Sequence, residues 1–215
     1  MVRKADMIRY EDMVTLYLSG SVLGVVIEGI YCLFRQGRWE THVVSLIGPF
    51  NIIYGLGAVG FYIGNLYLKD KHILIRILAF SLIGTAIEFV SGYLLERGLN
   101  MYAWDYSRAF GNYRGYICPS MSAVWGIAGV AFERLIPLFD SLFQKMHGQI
   151  WTYLAIALSV IIIIDLLMTA VAIVRWSRRH VQIMTVSPIS AIIDRLFGDE
   201  YMKNRFCEWR FLDER

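Results

Sequence analysis

Apolar residues in this chain are gathered into long blocks. A helix needs ~20 mostly apolar residues to cross a bilayer, and five blocks reach about that length. They cover residues 13–34, 43–66, 73–95, 117–137 and 151–174. No block alternates polar and apolar residues as a transmembrane β-strand does. The pattern therefore predicts an all-α polytopic membrane protein with about five transmembrane helices.

The same pattern predicts the domain organisation. Residues 1–175 form a single transmembrane domain, and residues 176–215 form a tail. Within the tail, Ser187-Pro188 is typical of a helix start. Apolar residues of 189–197 share one helical face, with Asp194 and Arg195 opposite. This short amphipathic helix is expected to lie on the membrane surface or to dock on a partner.

Composition strengthens the membrane assignment. Hydrophobic residues make up 57% of the chain and charged residues 18%, against roughly 45–50% and ~25% in soluble domains. The lipid bilayer is therefore the first predicted partner. A net charge of +3 suits anionic headgroups better than nucleic acid, which is not expected to bind.

The distribution of arginine predicts the orientation. Arg175, Arg178 and Arg179 directly follow the fifth apolar block. Basic residues flanking a span tend to stay in the cytoplasm, so the C-terminus is expected there, in a multi-pass protein of the bacterial inner membrane. Lys69 and Lys71 fall on the opposite side, which makes the bias imperfect.

An internal repeat is visible in the first four blocks. Ser21-x-x-Gly24-x-x-Ile27-Glu28 recurs 60 residues later as Ser81-x-x-Gly84-x-x-Ile87-Glu88. Two helices separate the copies, so they would cross the membrane in the same direction. We predict a parallel repeat of two helical hairpins, over about 13–66 and 73–137, followed by the fifth helix over about 151–174.

The repeat carries a glutamate in each copy, and an ionisable side chain within a membrane indicates a functional site by default. Both glutamates lie near the same face as the following loops. The predicted substrate-binding residues are Glu28, Glu88, Arg38, Tyr54, Trp104, Asp105, Tyr106, Arg114 and Trp125. The alternative is structural, with each carboxyl protonated or tied into hydrogen bonds and ion pairs between helices.

Two further features leave their alternatives open. Asp165, near the middle of the fifth helix, fits either a function or packing between helices. The loop over 96–116 is rich in Tyr, Trp, Arg, Asn and Gly, which fits either a folded or re-entrant lid or an interfacial aromatic belt.

Several kinds of chemistry lack a motif. The chain has no Walker A sequence, GxGxxG, HExxH or GxSxG. Its three cysteines, Cys32, Cys118 and Cys207, are too scattered for a disulfide framework or a metal motif. We therefore expect no metal and no cofactor. An ATP-driven process would need a separate ATPase subunit.

These motifs resemble the bacterial ABC-transporter type IV permease family. The resemblance rests on Gly48-Pro49-Phe50-x-x-Ile53-Tyr54-Gly55, Glu88, Trp104-Asp105-Tyr106-Ser107 and Gly115-x-Ile117-Cys118 with Trp125-Gly126. It covers roughly residues 15–135. Members commonly carry Asn-Arg-Gly where His42 and its neighbours stand, and a proline where Ile52 stands. The resemblance implies a permease.

Three functions remain at this point. The chain is expected to be a permease-like transport component that binds a small cationic or amphiphilic solute near the paired carboxylates at the cytoplasmic face. It could instead be a membrane-embedded enzyme acting on a lipid or amphiphile. The third alternative is a non-catalytic scaffold, assembly factor or sensor. Whether the chain forms a homo-oligomer is left open.

Overall fold

A computed structural model describes residues 8–40, 42–183 and 187–215, so residues 1–7 of the predicted membrane domain and 184–186 of the predicted tail lie outside it. Helices dominate the described chain. They are α1 (Tyr10–Gln36), α2 (Ile52–Leu68), α3 (Ile73–Leu99), α4 (Pro119–Phe132), α5 (Ile136–Lys145), α6 (Gln149–His180), α7 (Pro188–Leu196) and α8 (Asp199–Arg205). Two short strands, β1 (Met101–Tyr102) and β2 (Arg210–Phe211), pair antiparallel, and a 3-10 turn covers Leu212–Glu214.

The all-α, polytopic prediction is confirmed. Among the described helices, α1, α3 and α6 are each long and apolar enough to cross a membrane. The helices α4 and α5 pass the same length and composition criterion together, with a 50° bend that is compatible with a broken span or a re-entrant loop. At 17 residues, α2 stands at the lower length limit for a crossing helix. The expected five crossings therefore require α2 and the bent pair to cross as well.

The second predicted span begins too early, because α2 starts at Ile52 rather than near residue 43. Residues 43–51 fold into a turn instead. Gly48 adopts a left-handed φ of +80°, and Pro49 has no backbone N–H to offer a helix. The side chain of Asn51 then accepts a hydrogen bond from the Ile53 N–H at 2.9 Å, which caps the new helix.

The apolar turn before α2 is held by α6. The backbone N–H of Ile47 donates to Asp165 at 3.0 Å, and the N–H of Leu46 donates to the Thr169 hydroxyl at 2.9 Å. Asp165 is buried and caps this turn. Of the two alternatives for Asp165, the contacts favour packing.

The fourth predicted span, 117–137, differs because the chain bends after Phe132. Pro137 lies in the first turn of α5, where its missing N–H is tolerated, although the same residue would interrupt a continuous helix. At the bend, Glu133 accepts a hydrogen bond from Arg76 of α3 at 2.6 Å. The helix continues as α5 beyond the predicted end.

The tail packs back onto one end of the helices. Its apolar side chains join the end of α6, β1 and the turn before α2 in one buried cluster: Leu46, Met101, Ala172, Ile173, Trp176, Met202, Phe206, Trp209 and Phe211. As predicted, α7 starts with Ser187 as its cap. Ile189, Ile192 and Leu196 remain exposed, whereas Asp194 binds Arg175 and Arg179 of α6.

The loop after α3 is folded. Its strand β1 pairs with β2 of the tail, and the Trp104 indole donates to the Tyr116 carbonyl at 2.8 Å. The Tyr106 N–H donates to the Gly115 carbonyl at 2.9 Å. These bonds fold the loop between the end of α3 and the start of α4, which favours the folded alternative over a simple aromatic belt.

Candidate functional site

Two aromatic side chains fill matching notches in the two hairpins. In the α1–α2 hairpin the Tyr54 ring lies against Gly24, and in the α3–α4 hairpin the Trp125 ring lies against Gly84. A Cβ at either glycine would overlap both the ring and the Cβ of the aromatic residue. Glycine is therefore required for the close approach of each helix pair.

A second contact recurs one turn away. Ser21 of α1 faces Gly55 of α2, and Ser81 of α3 faces Gly126 of α4. A Cβ on either of these glycines would overlap the facing serine hydroxyl. The sequence repeat therefore corresponds to a repeated packing arrangement, which supports the prediction of two related hairpins.

Glu28 lies one turn beyond the first notch. One of its carboxylate oxygens accepts a short hydrogen bond from the Tyr54 hydroxyl. The other lies 2.6 Å from Nδ1 of His42, in the turn before α2. The Glu28 side chain is 26% exposed, so it is held by two partners and still open on one side.

Glu88 occupies the equivalent position beyond the second notch. It accepts hydrogen bonds from the Tyr106 hydroxyl at 2.7 Å and from the Trp125 indole at 3.3 Å. At 5% exposure it is more buried than Glu28. Burial, followed by the neighbouring Glu88 charge and hydrogen bond, raises the pKa of the loop residue Tyr106, so its hydroxyl stays a donor.

Both carboxylates line one cavity of about 330 Å³. The cavity lies where α1 and α3 end, where α2 and α4 begin, and where residues 206–209 of the tail fold over. Six of the nine predicted binding residues line it: Glu28, Glu88, Tyr54, Trp104, Tyr106 and Trp125.

Residues 15–170 match the model of the family described as "Putative ABC-transporter type IV". This match covers well over half of the 215-residue chain. The chain belongs to this family. It is accordingly an ABC-transporter-related, multi-pass membrane component, and the resemblance found in the sequence is confirmed. No solved structure matches the chain significantly.

The family match extends further than the sequence motifs indicated. Those motifs ended near residue 135, whereas the match continues to residue 170, within α6. The folded tail lies beyond it. The part of the cavity built by α1–α4 is therefore inside the matched region, and the part built by the tail is outside it.

In this family member, two predicted arginines lie outside the cavity. The Arg38 side chain is 72% exposed and pairs with Glu40 at 2.5 Å. Arg114 is exposed and has a left-handed φ of +53°. Neither guanidinium lines the cavity, so neither is positioned to bind a solute there.

Asp105 also points away from the cavity. Its carboxylate accepts two hydrogen bonds from Arg215, at 2.5 and 2.9 Å, and one from the Ser107 N–H at 2.8 Å. Arg215, more than any other group, lowers the pKa of Asp105 to about 2. Its partners indicate that Asp105 joins the loop to the tail.

The sequence predictions missed two charged residues of the cavity wall. His42 and Glu208 meet at the wall beside Glu28, with Nδ1 of His42 2.6 Å from a Glu208 carboxylate oxygen. Burial lowers the pKa of His42, but the hydrogen bonds that its imidazole donates to Glu208 and Glu28, together with their negative charges, outweigh burial and raise that pKa to about 11. No local pattern marks Glu208, because only the folding of the tail brings it to the cavity.

The cavity has a consistent electrostatic character. Among the described residues that line it are three carboxylates, Glu28, Glu88 and Glu208, and one imidazole, His42, but neither lysine nor arginine. The remaining walls are mostly apolar and aromatic. Carboxylates beside aromatic faces are an arrangement that binds cations, because both attract positive charge.

Proposed function

We propose that this chain is the permease component of a transporter, and that its cavity binds a small organic cation with an apolar body. The observation that carries the proposal is the pair Glu28 and Glu88 in one cavity with aromatic walls. A cation bound between them would gain Coulomb attraction from both carboxylates. Tyr54 and Trp125 would offer aromatic faces to its apolar groups.

The energy source would be a separate ATPase subunit. The chain contains no Walker A sequence, so the hydrolytic step needs a partner. The basic residues at the end of α6 favour a cytoplasmic position for the tail and for the cavity mouth beside it. A cytoplasmic mouth is also where an ATPase would act.

The alternative of an enzyme acting on a lipid phosphate receives less support. Such a site needs a cationic side chain to hold the phosphate. The two arginines among the predicted binding residues, Arg38 and Arg114, do not line the cavity, and His42, which does, is already paired with Glu28 and Glu208. The cavity charge therefore disfavours an anionic ligand.

The binding proposal can be tested with two probes of similar size and opposite charge. Benzyltrimethylammonium and phenylmethanesulfonate share the benzyl group and differ in the sign of their charge. Isothermal titration of the purified protein in mild detergent should show binding of the first and not of the second. Glu88→Gln should weaken benzyltrimethylammonium binding by about tenfold or more, which corresponds to ~1.4 kcal/mol.

A matched control separates the site from the overall charge. Glu200→Gln makes the same chemical change on exposed residue 200 of α8, outside the cavity, and should leave the dissociation constant unchanged. Equal binding by the wild type and by folded Glu88→Gln would refute the carboxylate pair as a cation site and favour a structural role. Preferential binding of the sulfonate would refute the cationic substrate class.

A further inference from the structure

Three side chains from distant parts of the chain converge at one edge of the cavity. Glu28 comes from α1, His42 from the turn before α2, and Glu208 from the tail. The Nδ1 atom of His42 lies 2.6 Å from an oxygen of each carboxylate, and the three donor atoms lie within 4.8 Å of one another. We propose that these side chains bind a divalent transition-metal ion.

The hydrogen-bond count at this point favours an ion. A single N–H on Nδ1 cannot donate a full hydrogen bond to two carboxylates at once. With the imidazole charged, the three groups still carry one surplus negative charge. A divalent ion that displaced the Nδ1 proton into solvent would balance both carboxylates and leave the imidazole neutral. The donor atoms would need to separate by about 1 Å to surround an ion at ~2.0–2.2 Å.

The surrounding contacts orient the donors. The second ring nitrogen of His42 lies 3.4 Å from the Cys32 sulfur, so a proton there leaves the Nδ1 lone pair free for a metal. The Tyr54 hydroxyl holds the other oxygen of Glu28. Asn51 fixes the His42 backbone by donating to its carbonyl at 2.7 Å. Such outer contacts are what position metal ligands in proteins.

The Cys32 side of the ring is a weaker candidate. Cys32, Glu40 and His42 also bring donor atoms within 4.8 Å. However, Cys32 is only 2% exposed and does not line the cavity, whereas Glu28, His42 and Glu208 all line it. The cavity gives an ion a path to Nδ1 and room for water or solute in its remaining positions.

The donor set also indicates the class of ion. One imidazole nitrogen with two carboxylate oxygens suits Zn²⁺, Fe²⁺ or Mn²⁺, whereas Ca²⁺ and Mg²⁺ prefer oxygen alone. Three protein ligands leave a coordination position open, as in exchangeable or catalytic sites. The local sequence predicted no metal because the three ligands belong to no compact motif.

The test uses Zn²⁺ as the probe on purified protein that has been stripped with a chelator and dialysed. Isothermal titration and elemental analysis should give one Zn²⁺ per chain for the wild type. Glu208→Gln should weaken Zn²⁺ binding at least tenfold, and His42→Ala should abolish it. Circular dichroism and size-exclusion chromatography check that each variant is folded. If His42→Ala does not fold, Glu208→Gln alone tests the proposal.

Two further variants make the result specific. Glu200→Gln should keep the Zn²⁺ affinity of the wild type, and Cys32→Ala should weaken it less than Glu208→Gln does, because Cys32 only orients the imidazole. Equal Zn²⁺ binding by the wild type and Glu208→Gln would overturn the proposal. Loss of Zn²⁺ in Cys32→Ala alone would also overturn it, because the ion would then sit on the other ring nitrogen.

The metal-site proposal and the organic-cation proposal both involve Glu28, but they are tested with different probes, Zn²⁺ and benzyltrimethylammonium. Glu88 lies outside the metal triad, so Glu88→Gln should weaken benzyltrimethylammonium binding and leave Zn²⁺ binding unchanged. Failure of the Zn²⁺ titration with a normal response to benzyltrimethylammonium would reject only the metal site. Failure of the organic probe with intact Zn²⁺ binding would reject only the solute class.

Discussion

The two hairpins share their packing but differ in the chemistry of their glutamates. In both, a glycine of the first helix receives an aromatic ring of the second, and a glutamate follows one turn later. Glu28 faces an imidazole and a second carboxylate, at His42 and Glu208. Glu88 is bound by a phenol and an indole.

This difference indicates which parts of a repeat are constrained by packing and which are free to diverge. The notches between helices admit no extra atom, so both copies need the same glycines. The loops that reach each glutamate have no such constraint. The α1–α2 loop supplies His42 and meets the tail's Glu208, whereas the α3–α4 loop supplies Tyr106. Glu28 is therefore left partly exposed beside two ionisable groups, whereas Glu88 is buried although it also lines the cavity.

The largest effects are expected at the shared notches. Gly24→Ala and Gly84→Ala each place a Cβ where it overlaps the Cβ of Tyr54 or Trp125. An aromatic Cβ moves only with its helix, so relief by a rotamer change is not available. Each variant should lose stability near the upper end of the ~1–3 kcal/mol typical of overpacking. Thermal unfolding in detergent would measure the loss.

Gly98→Ala is the matched control for these changes. Gly98 lies in the same helix as Gly84 and has no neighbour within 4 Å of an added Cβ. There the substitution should cost nothing and should stabilise α3 by at most ~0.5 kcal/mol, because Gly98 is the next-to-last residue of the helix. Similar losses at Gly24 and Gly84 would support equivalent hairpins, whereas a loss at only one would show that the other notch can widen.

The sequence predicted a helix correctly wherever the length of an apolar block is enough to identify a membrane-crossing helix. The blocks that became α1, α3 and α6 were found because a bilayer-crossing helix needs a long apolar run. The start of α2 was missed because residues 43–51 are also largely apolar. Their path is set by Gly48-Pro49, by the Asn51 cap and by bonds to α6, none of which changes the hydropathy.

The candidate site was predictable only in part. The repeat identified Glu28 and Glu88, because an ionisable residue at the same place in two apolar helices is a strong signal. Arg38 and Asp105 carry the expected charges, but Glu40 and Arg215 draw them away from the cavity. Glu208 could not be found, since its position depends on how the whole tail folds.

The tail contacts both the α1–α2 loop and the α3–α4 loop, and the two contacts differ in kind. Arg205 donates to backbone carbonyls of the turn before α2, to Ser45 at 2.8 Å and to Gly48. Arg205→Met keeps most of the aliphatic stem and removes these donors. We expect a loss of about 1–2 kcal/mol, since partly buried carbonyls would lose charged partners.

Hydrogen–deuterium exchange can locate this effect. In Arg205→Met, amides of 42–51 should exchange faster, while amides of the α3–α4 loop keep their wild-type rates. Arg195→Met, a change of the same kind on α7 outside this contact, serves as the control. Unchanged exchange over 42–51 would mean that Asp165 and Thr169 of α6 hold the turn without help from the tail.

The smallest loss of stability is expected where the tail contacts the α3–α4 loop. Asp105 and Arg215 form a partly exposed ion pair, and such pairs contribute about 0–1 kcal/mol. Asp105→Asn should therefore lower the unfolding free energy by less than ~1 kcal/mol at pH 7. Asp70→Asn, on an exposed residue of the α2–α3 turn, is the control.

The effect of Asp105 should depend on pH with a defined sign. The folded-state pKa of about 2 lies below the ~3.9 of an unfolded aspartate. The contribution is therefore complete above about pH 4 and is lost as the pH falls through about 2. Melting temperatures of the wild type and Asp105→Asn should converge over that window. A gap that persists at the acid end would show that Asp105 acts through its bonds to Ser107 rather than through its charge.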